Sequence, residues 1–325
     1  MSIFLSELRK VWSGRVFPMM LAVLAAANLL LLWMGTRPTA NQPSAGAYRA
    51  VGAELKGMSM EEAGQFLHDR LNEYEGILKI DSYYRQLAYG GSYLASYREE
   101  NAGLFDAYEQ TYRDKSYTLY TDDLATDYRL FSALCGEYDT VSAYPEFLQS
   151  VQTRAGQLAG ISIFHNDATG YDLKNIERTA QVYDGLGATE IRYYPQKGIY
   201  TAISYPFTDG ILLAAILLLA LLLVRQERDS GLLQLLRSMP GGRLKTALAK
   251  LAAFGFSLLG AILVLYGVNL AYCGAAFGLG PLGRTIQSIP ALMRCTMQIT
   301  AAQYLLCFLL AKWAAAFAMG LWVML

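Results

Sequence analysis

Histidine is nearly missing from this chain. His68 and His165 are the only two in 325 residues. Neither lies in an HExxH pattern or beside a second ligand, so zinc hydrolase chemistry lacks its ligand set. Both read as solvated polar residues. No GxSxG is present, which removes the serine-esterase nucleophile elbow. The four cysteines, Cys135, Cys273, Cys295 and Cys307, are far apart and form no CxxC. Spacing therefore supplies neither a metal site nor a disulfide framework. Cys273 and Cys295 could pair if both faced an oxidising exterior; otherwise all four read as small buried apolar residues. The run from Gly278 to Thr285, GLGPLGRT, mimics a phosphate-binding loop with Arg284 in the lysine position. It contains a proline and follows an apolar span, where a true loop follows a buried strand. The chain thus shows no ATPase, catalytic constellation, metal or cofactor site of its own, and nothing in it points to nucleic acid.

Charge is also scarce, at 17%, while hydrophobic residues reach 54%. These values fit a chain partly dissolved in lipid. The formal net charge of zero hides an uneven distribution. Arg37 to Asp209 holds 24 acids and 15 bases, whereas the apolar-rich remainder holds 3 acids and 12 bases. Val16 to Met34 is uncharged and, as a helix, spans about 28 Å, close to the hydrocarbon thickness. It reads as an uncleaved first transmembrane helix, because it is long for a signal-peptide core and no small-x-small cleavage site follows at once. Ahead of it, Phe4, Leu8, Val11 and Trp12 share one helical face, the pattern of a helix at a membrane surface.

A linker at Pro38 to Ala47 opens a polar segment of about 165 residues. Ser59-Met-Glu-Glu62 has the capping-box pattern, and Ala63, Phe66, Leu67, Leu71, Tyr74, Ile77 and Leu78 follow at helical spacing. Helical patterns return at Asp123 to Glu137, Pro145 to Leu158 and Tyr171 to Leu186. Strand-like runs occur only at Ile161 to Phe164 and Glu190 to Tyr194. Twenty of the 23 tyrosines lie between Tyr48 and Tyr205. They suit either the packing of a domain poor in leucine and isoleucine or a ligand face.

Three further spans follow. Gly210 to Val224 is short unless Tyr205 to Asp209 completes its outer end and Arg225 snorkels at the other. Leu251 to Gly274 is the next. Gln287 to Cys295 then has the look of a surface helix. Thr300 to Leu325 is apolar apart from Lys312 and reads as a span cut short. The bases before the first span are Arg9, Lys10 and Arg15. The 225–250 loop carries six, Arg225, Arg228, Arg237, Arg243, Lys245 and Lys250, against only Arg284 and Arg294 in the 275–299 loop. By the positive-inside rule the N-terminus and the 225–250 loop are cytoplasmic and the acidic domain is extracellular.

The stretch ERDSGLLQLLRSMPGGRLKTALAK, 227–250, therefore faces the cytoplasm. Leu232, Leu233, Leu235, Leu236 and Met239 form an apolar face. Glu227, Asp229 and Ser230 suit a helix N-terminus, and Pro240-Gly241-Gly242 ends the turn sharply. On these residues alone it reads either as a docking helix for a partner or as a loop resting on headgroups. Glu227…Gly231…Leu236…Pro240…Arg243…Lys250 resembles the first cytoplasmic loop of ABC-2 type transporter permeases. The N-terminal surface helix resembles that family's elbow helix. Ser162-Ile-Phe164, Asn175-Ile-Glu177-Arg-Thr179, Thr208-Asp209 and Thr300-Ala-Ala-Gln-Tyr-Leu-Leu306 followed by Lys312 resemble a branch with a large extracellular domain after the first helix. Residues 40–150 carry little of the likeness, and four spans are fewer than the six usual there.

The resemblance implies a permease subunit that pairs with itself or a sister permease. A separate cytoplasmic ABC ATPase would dock through Glu227, Gly231, Leu232, Leu235, Leu236, Met239, Pro240 and Arg243. The expected fold class is mainly α, a polytopic membrane helical bundle with an inserted, mostly helical extracellular domain. Its divisions are 1–15 for the interfacial helix, 16–36, 205–225, 247–275 and 300–325 for the spans, 37–204 for the domain, 226–246 for the coupling loop and 276–299 for an outer loop or surface helix. Three polar residues fall in or beside the spans. Asn28 suits a bond between helices. Asp209 reads as interfacial, and Lys312 either lines a path or marks the end of a surface helix. A membrane-anchored extracellular ligand-binding or sensor protein is the alternative from a different class, and a membrane enzyme is disfavoured for want of a catalytic constellation.

Overall fold

The computed structural model describes residues 3–89, 94–161, 170–187, 189–230 and 242–324. The expected strand-like run at 161–164 and His165 lie largely or wholly outside them. The protein is a mainly α polytopic membrane protein with four helices long and apolar enough to cross a bilayer. It divides into two compact units. One comprises Met1–Arg37, Gly198–Leu279 and Ala302–Leu325; the other comprises Pro38–Lys197 and Gly280–Ala301.

The membrane unit begins with α1, Ile3–Ser13, and α2, Val16–Gly35. After the inserted domain come α10, Lys197–Ser204, α11, Pro206–Ser230, α12, Gly242–Ala276, and finally α13, Ala301–Met324. Its core is aliphatic and phenylalanine-rich, with Phe17, Leu21, Ile216, Phe254, Leu258 and Ile262 buried together. The amphipathic α1 lays its greasy face on α12. The Trp12 indole N–H donates to Ser257 Oγ at 3.2 Å, and the Phe4 and Phe256 rings lie 5.4 Å apart. Where α2 ends, Arg37 stacks 3.3 Å over the Trp33 ring, an aromatic and basic pair suited to a headgroup region. The last helix, α13, rests on α12 chiefly through aromatic side chains. The Phe254 and Phe317 rings are 6.0 Å apart, and the Trp313 N–H donates to Gly255 O at 2.8 Å.

The inserted unit is built on α4, Met60–Ala88, and α7, Leu124–Ser142, with α3 (Ala45–Glu54), α5 (Leu94–Glu100), α6 (Ala102–Asp114), α8 (Tyr144–Ala159) and α9 (Tyr171–Asp184) around them. The helix starts obey local chemistry. Ser59 accepts from Glu62 N while the Glu62 carboxylate accepts from Ser59 N, the reciprocal box its spacing predicts. The Asp123 carboxylate accepts from Thr126 N at 3.1 Å and opens α7. Between α4 and α7 the rings of Tyr74 and Phe131 sit 5.3 Å apart, both fully buried. Around α6 a second cluster joins Ile80, Tyr83 and Phe105 with Tyr84, Tyr97, Tyr108 and Tyr112. Many of the tyrosines thus do the packing that leucine does elsewhere, and some use the hydroxyl as well: Tyr74 donates to Thr118 O at 2.7 Å and Tyr112 to Asp81 Oδ1 at 3.0 Å.

Two local expectations change. Gln287 to Cys295 forms two short 3-10 turns, Ile286–Ser288 and Pro290–Leu292, in place of a surface helix. Gln287 and Ser288 are fully buried, and the Gln287 amide donates to Cys295 O at 3.0 Å and to Met297 O at 2.9 Å. Pro290 breaks the helical ladder, and the buried amide satisfies the carbonyls of the turn. The segment Gly280–Ala301 is in fact part of the inserted domain. Arg284 Nη1 reaches Tyr194 O at 2.8 Å, and the Tyr183 hydroxyl donates to Arg294 O at 2.9 Å. Glu190 to Tyr194, strand-like in sequence, has no ladder partner; the described residues hold no strand, only an isolated bridge between Thr285 and Thr300.

Candidate functional site: the polar residues of the membrane unit

Pro206 sets the geometry of the second span. It has no N–H, so the carbonyl four residues earlier, that of Ala202, has no helical donor. The helix is broken here, with α10 ending at Ser204 and α11 starting at Pro206. In hydrocarbon an orphaned carbonyl costs several kcal/mol, on the order of 2–7, unless another group reaches it. Asn269 of α12 does so, its Nδ2 lying 3.2 Å from Ala202 O.

The same amide belongs to a closed ring. Thr208 Oγ1 donates to Asn28 Oδ1 at 2.9 Å, Asn28 Nδ2 donates to Asn269 Oδ1 at 2.7 Å, and Asn269 Nδ2 donates back to Thr208 Oγ1 at 2.8 Å. The second N–H of Asn28 goes to Leu265 O at 3.3 Å. All three side chains are fully buried. Every amide N–H is used, so the ring is a saturated clamp tying α2, α11 and α12 at one depth.

Asp209, one residue on, points elsewhere. Its carboxylate takes both oxygens to Lys312 Nζ, at 2.7 and 2.8 Å, and accepts a short hydrogen bond from the Tyr266 hydroxyl. The ammonium also lies 5.4 Å from the Phe308 ring centroid and 5.8 Å from that of Tyr266. Lys312 is 11 residues past Ala301, about 16 Å along α13. Tyr266 is 10 residues before Ala276, about 15 Å from that end of α12. The cluster lies near the middle of α13 and ties α11, α12 and α13 together. Yet the Asp209 side chain is 53% and that of Lys312 27% exposed. A salt bridge facing hydrocarbon is costly, so this face needs water or protein against it.

Asn28, Asp209 and Lys312 were legible as polar interruptions. Asn269 and Tyr266 complete the two constellations. Asn269 carries the same signal as Asn28, an amide inside an apolar span, whereas the Tyr266 hydroxyl acquires meaning only from its partner. Of the expected docking residues, Gly231, Leu232, Leu235, Leu236, Met239 and Pro240 lie outside the described residues. Glu227 falls in the last turns of α11 and Arg243 in the first turn of α12. No family model, curated protein or solved structure matches the chain.

Proposed function

We propose that the chain is the membrane-spanning permease subunit of an ATP-binding cassette transporter. In this reading the N-terminus and 225–250 are cytoplasmic, the inserted domain is extracellular, and a separate ATPase docks on 226–246. The subunit pairs with a second copy or a sister permease.

One observation carries the reading. Both helices that flank 231–241 are longer than a bilayer crossing needs. The apolar span ends at Leu223, but α11 continues to Ser230. The 35 residues of α12 make about 52 Å of helix against a hydrocarbon core of about 30 Å, with Arg243, Lys245 and Lys250 at its start. Helices longer than the bilayer suit a partner that must move the spans, because they carry its motion into the membrane. The mid-span ion pair supports transport as well, since a charge at that depth is tolerated where a polar path or protein covers it. A ligand-binding sensor would have an inserted domain too, but would not need helices longer than the bilayer.

The test is deletion of 232–239 in membranes of the native cell, followed by purification and search for a co-purifying ATP-binding cassette ATPase. Loss of co-purification with intact insertion supports the docking role. Unchanged co-purification overturns it.

A further inference from the structure

A segment of the inserted domain that lines a cleft has no strand partner among the described residues. Glu190 to Tyr194 reads as a strand in sequence. One of its edges is occupied by side chains from the 284–288 turn. The Thr285 hydroxyl donates to Glu190 O at 2.9 Å, Arg192 N donates to Ser288 Oγ at 3.1 Å, and Arg284 Nη1 donates to Tyr194 O at 2.8 Å. Groups of residues 190, 192 and 194 are thus taken in alternation, the signature of an extended chain bonded along one side. The main-chain N–H and C=O groups of the intervening Ile191 and Tyr193 have no partner among the described residues. In an extended chain those groups point to the opposite side.

Ile191 and the largely buried Tyr193 line a cleft of about 810 Å³, together with the turn from Leu55 to Met60 and with Gly280 and Pro281. Its size lies in the range of small-ligand sites. Leu55, Met58, Met60 and Pro281 give it apolar surface. The charges within it are mostly committed: Glu62 caps Ser59 N, and Arg192 is paired with Glu190 at 2.8 Å. Lys56 has no ion partner among the described residues. Gly280 holds φ +70, and the Tyr194 ring occupies the place of any Cβ there, so this part of the wall is fixed by backbone.

We propose that this cleft binds an extended peptide, which adds as a strand to the free edge of Ile191 and Tyr193 and sets a carboxylate against Lys56. Unpaired main-chain groups supply affinity that is independent of sequence, and apolar pockets on alternate residues supply selectivity. The proposal does not depend on the transport reading.

The test uses the full chain in lipid nanodiscs. The probe is a pool of N-acetylated hexapeptides alternating valine, leucine or phenylalanine with threonine and ending in a free carboxylate. Residue-resolved hydrogen exchange should show the Ile191 and Tyr193 amides exchanging freely without peptide, with Arg192 slower, and the first two slowed at least tenfold by the pool. N-methylating the peptides at alternate residues in one phase should weaken binding at least tenfold, and in the other phase should leave it unchanged. Lys56→Glu should weaken the acid pool about tenfold and spare the amidated pool. The proposal fails if the Ile191 and Tyr193 amides are already protected in the free protein. It also fails if millimolar peptide leaves their exchange unchanged, or if both methylation phases act alike.

Discussion

Asn269 donates to the carbonyl of Ala202 at 3.2 Å, the acceptor that Pro206 leaves without a donor on its own helix. One amide on α12 thereby repairs the break in the second span and, through Thr208 and Asn28, clamps three helices. A proline within a span is tolerable when a neighbour meets the freed backbone group, and here the neighbour is named.

Asn269→Leu should strand Ala202 O and one N–H of Asn28, while the Thr208 hydroxyl keeps its bond to Asn28 Oδ1. A loss of about 1–3 kcal/mol is expected, the usual penalty of unsatisfied buried groups. Thermal unfolding in detergent measures it. Adding Pro206→Ala restores a helical donor to Ala202, so the loss should be smaller in that background. Equal losses with and without Pro206 would show that the Ala202 contact contributes nothing.

Removing one member of the mid-span ion pair should harm more than removing both. Lys312→Leu leaves an ionised Asp209 carboxylate at a depth where insertion scales put the cost near 2.5–3.5 kcal/mol. Asp209→Leu strands the ammonium and the Tyr266 hydroxyl. The double Leu variant abolishes both charges and should recover much of the stability while losing transport. Yield of monodisperse protein after graded heating distinguishes the three. Additive losses would mean that the two residues do not act as a pair.

Two carboxylates of the inserted domain respond oppositely to pH. Burial raises the Glu137 carboxyl above its usual range, opposed by hydrogen bonds from Gln196 N at 3.1 Å and the Tyr193 hydroxyl at 3.4 Å. Its folded form holds the proton more tightly than the unfolded chain, so its contribution is complete at low pH and is lost as pH rises through the folded value. Glu62 is lowered, chiefly by the Ser59 backbone N–H and then by its hydroxyl. Its contribution is present above the ordinary carboxylate range and is lost as pH falls through the folded value. Glu137→Gln should flatten the loss on the alkaline side of that range, and Glu62→Gln the loss on the acid side. Unfolding midpoints between about pH 3 and 7 check both, and a shift of the wrong sign in either variant refutes its assignment.

Orientation is open to a labelling test. Ser238→Cys, in a chain whose half-buried Cys295 and exposed Cys307 are replaced by Ser, should react with a membrane-impermeant maleimide only after permeabilisation. A cysteine in the inserted domain at exposed Tyr89 should react in intact cells. The reverse pattern would place the 225–250 connection outside and remove the basis for an ATPase docking there.

Much of the architecture was written locally. Uncharged runs long enough for a bilayer specify the spans, because lipid offers backbone groups no alternative to helix. Ser59 and Glu62 specify their own helix start, since both halves of the box lie within one turn. Asn28, Asp209 and Lys312 announced themselves by polarity alone. Their partners did not: Asn269 lies 241 residues from Asn28, and Lys312 lies 103 residues from Asp209. A polar residue in an apolar span says that a partner exists, but only the packed helices say which one.

The segment after the third span shows the same division. Its basic and polar residues read as a loop or surface helix, whereas burial of Gln287, Ser288 and Arg284 makes it a wall of the inserted domain. Glu190 to Tyr194 has strand chemistry, yet a strand is completed by a neighbour, and here side chains of the 284–288 turn occupy one edge and leave the other free. Sequence by itself determined the long apolar helices and the caps of the inserted domain, because these depend on neighbours within a few residues. The tertiary structure alone decided which buried polar groups meet and which edge stays open, because hydrogen bonds between distant segments are settled only when the chain is packed.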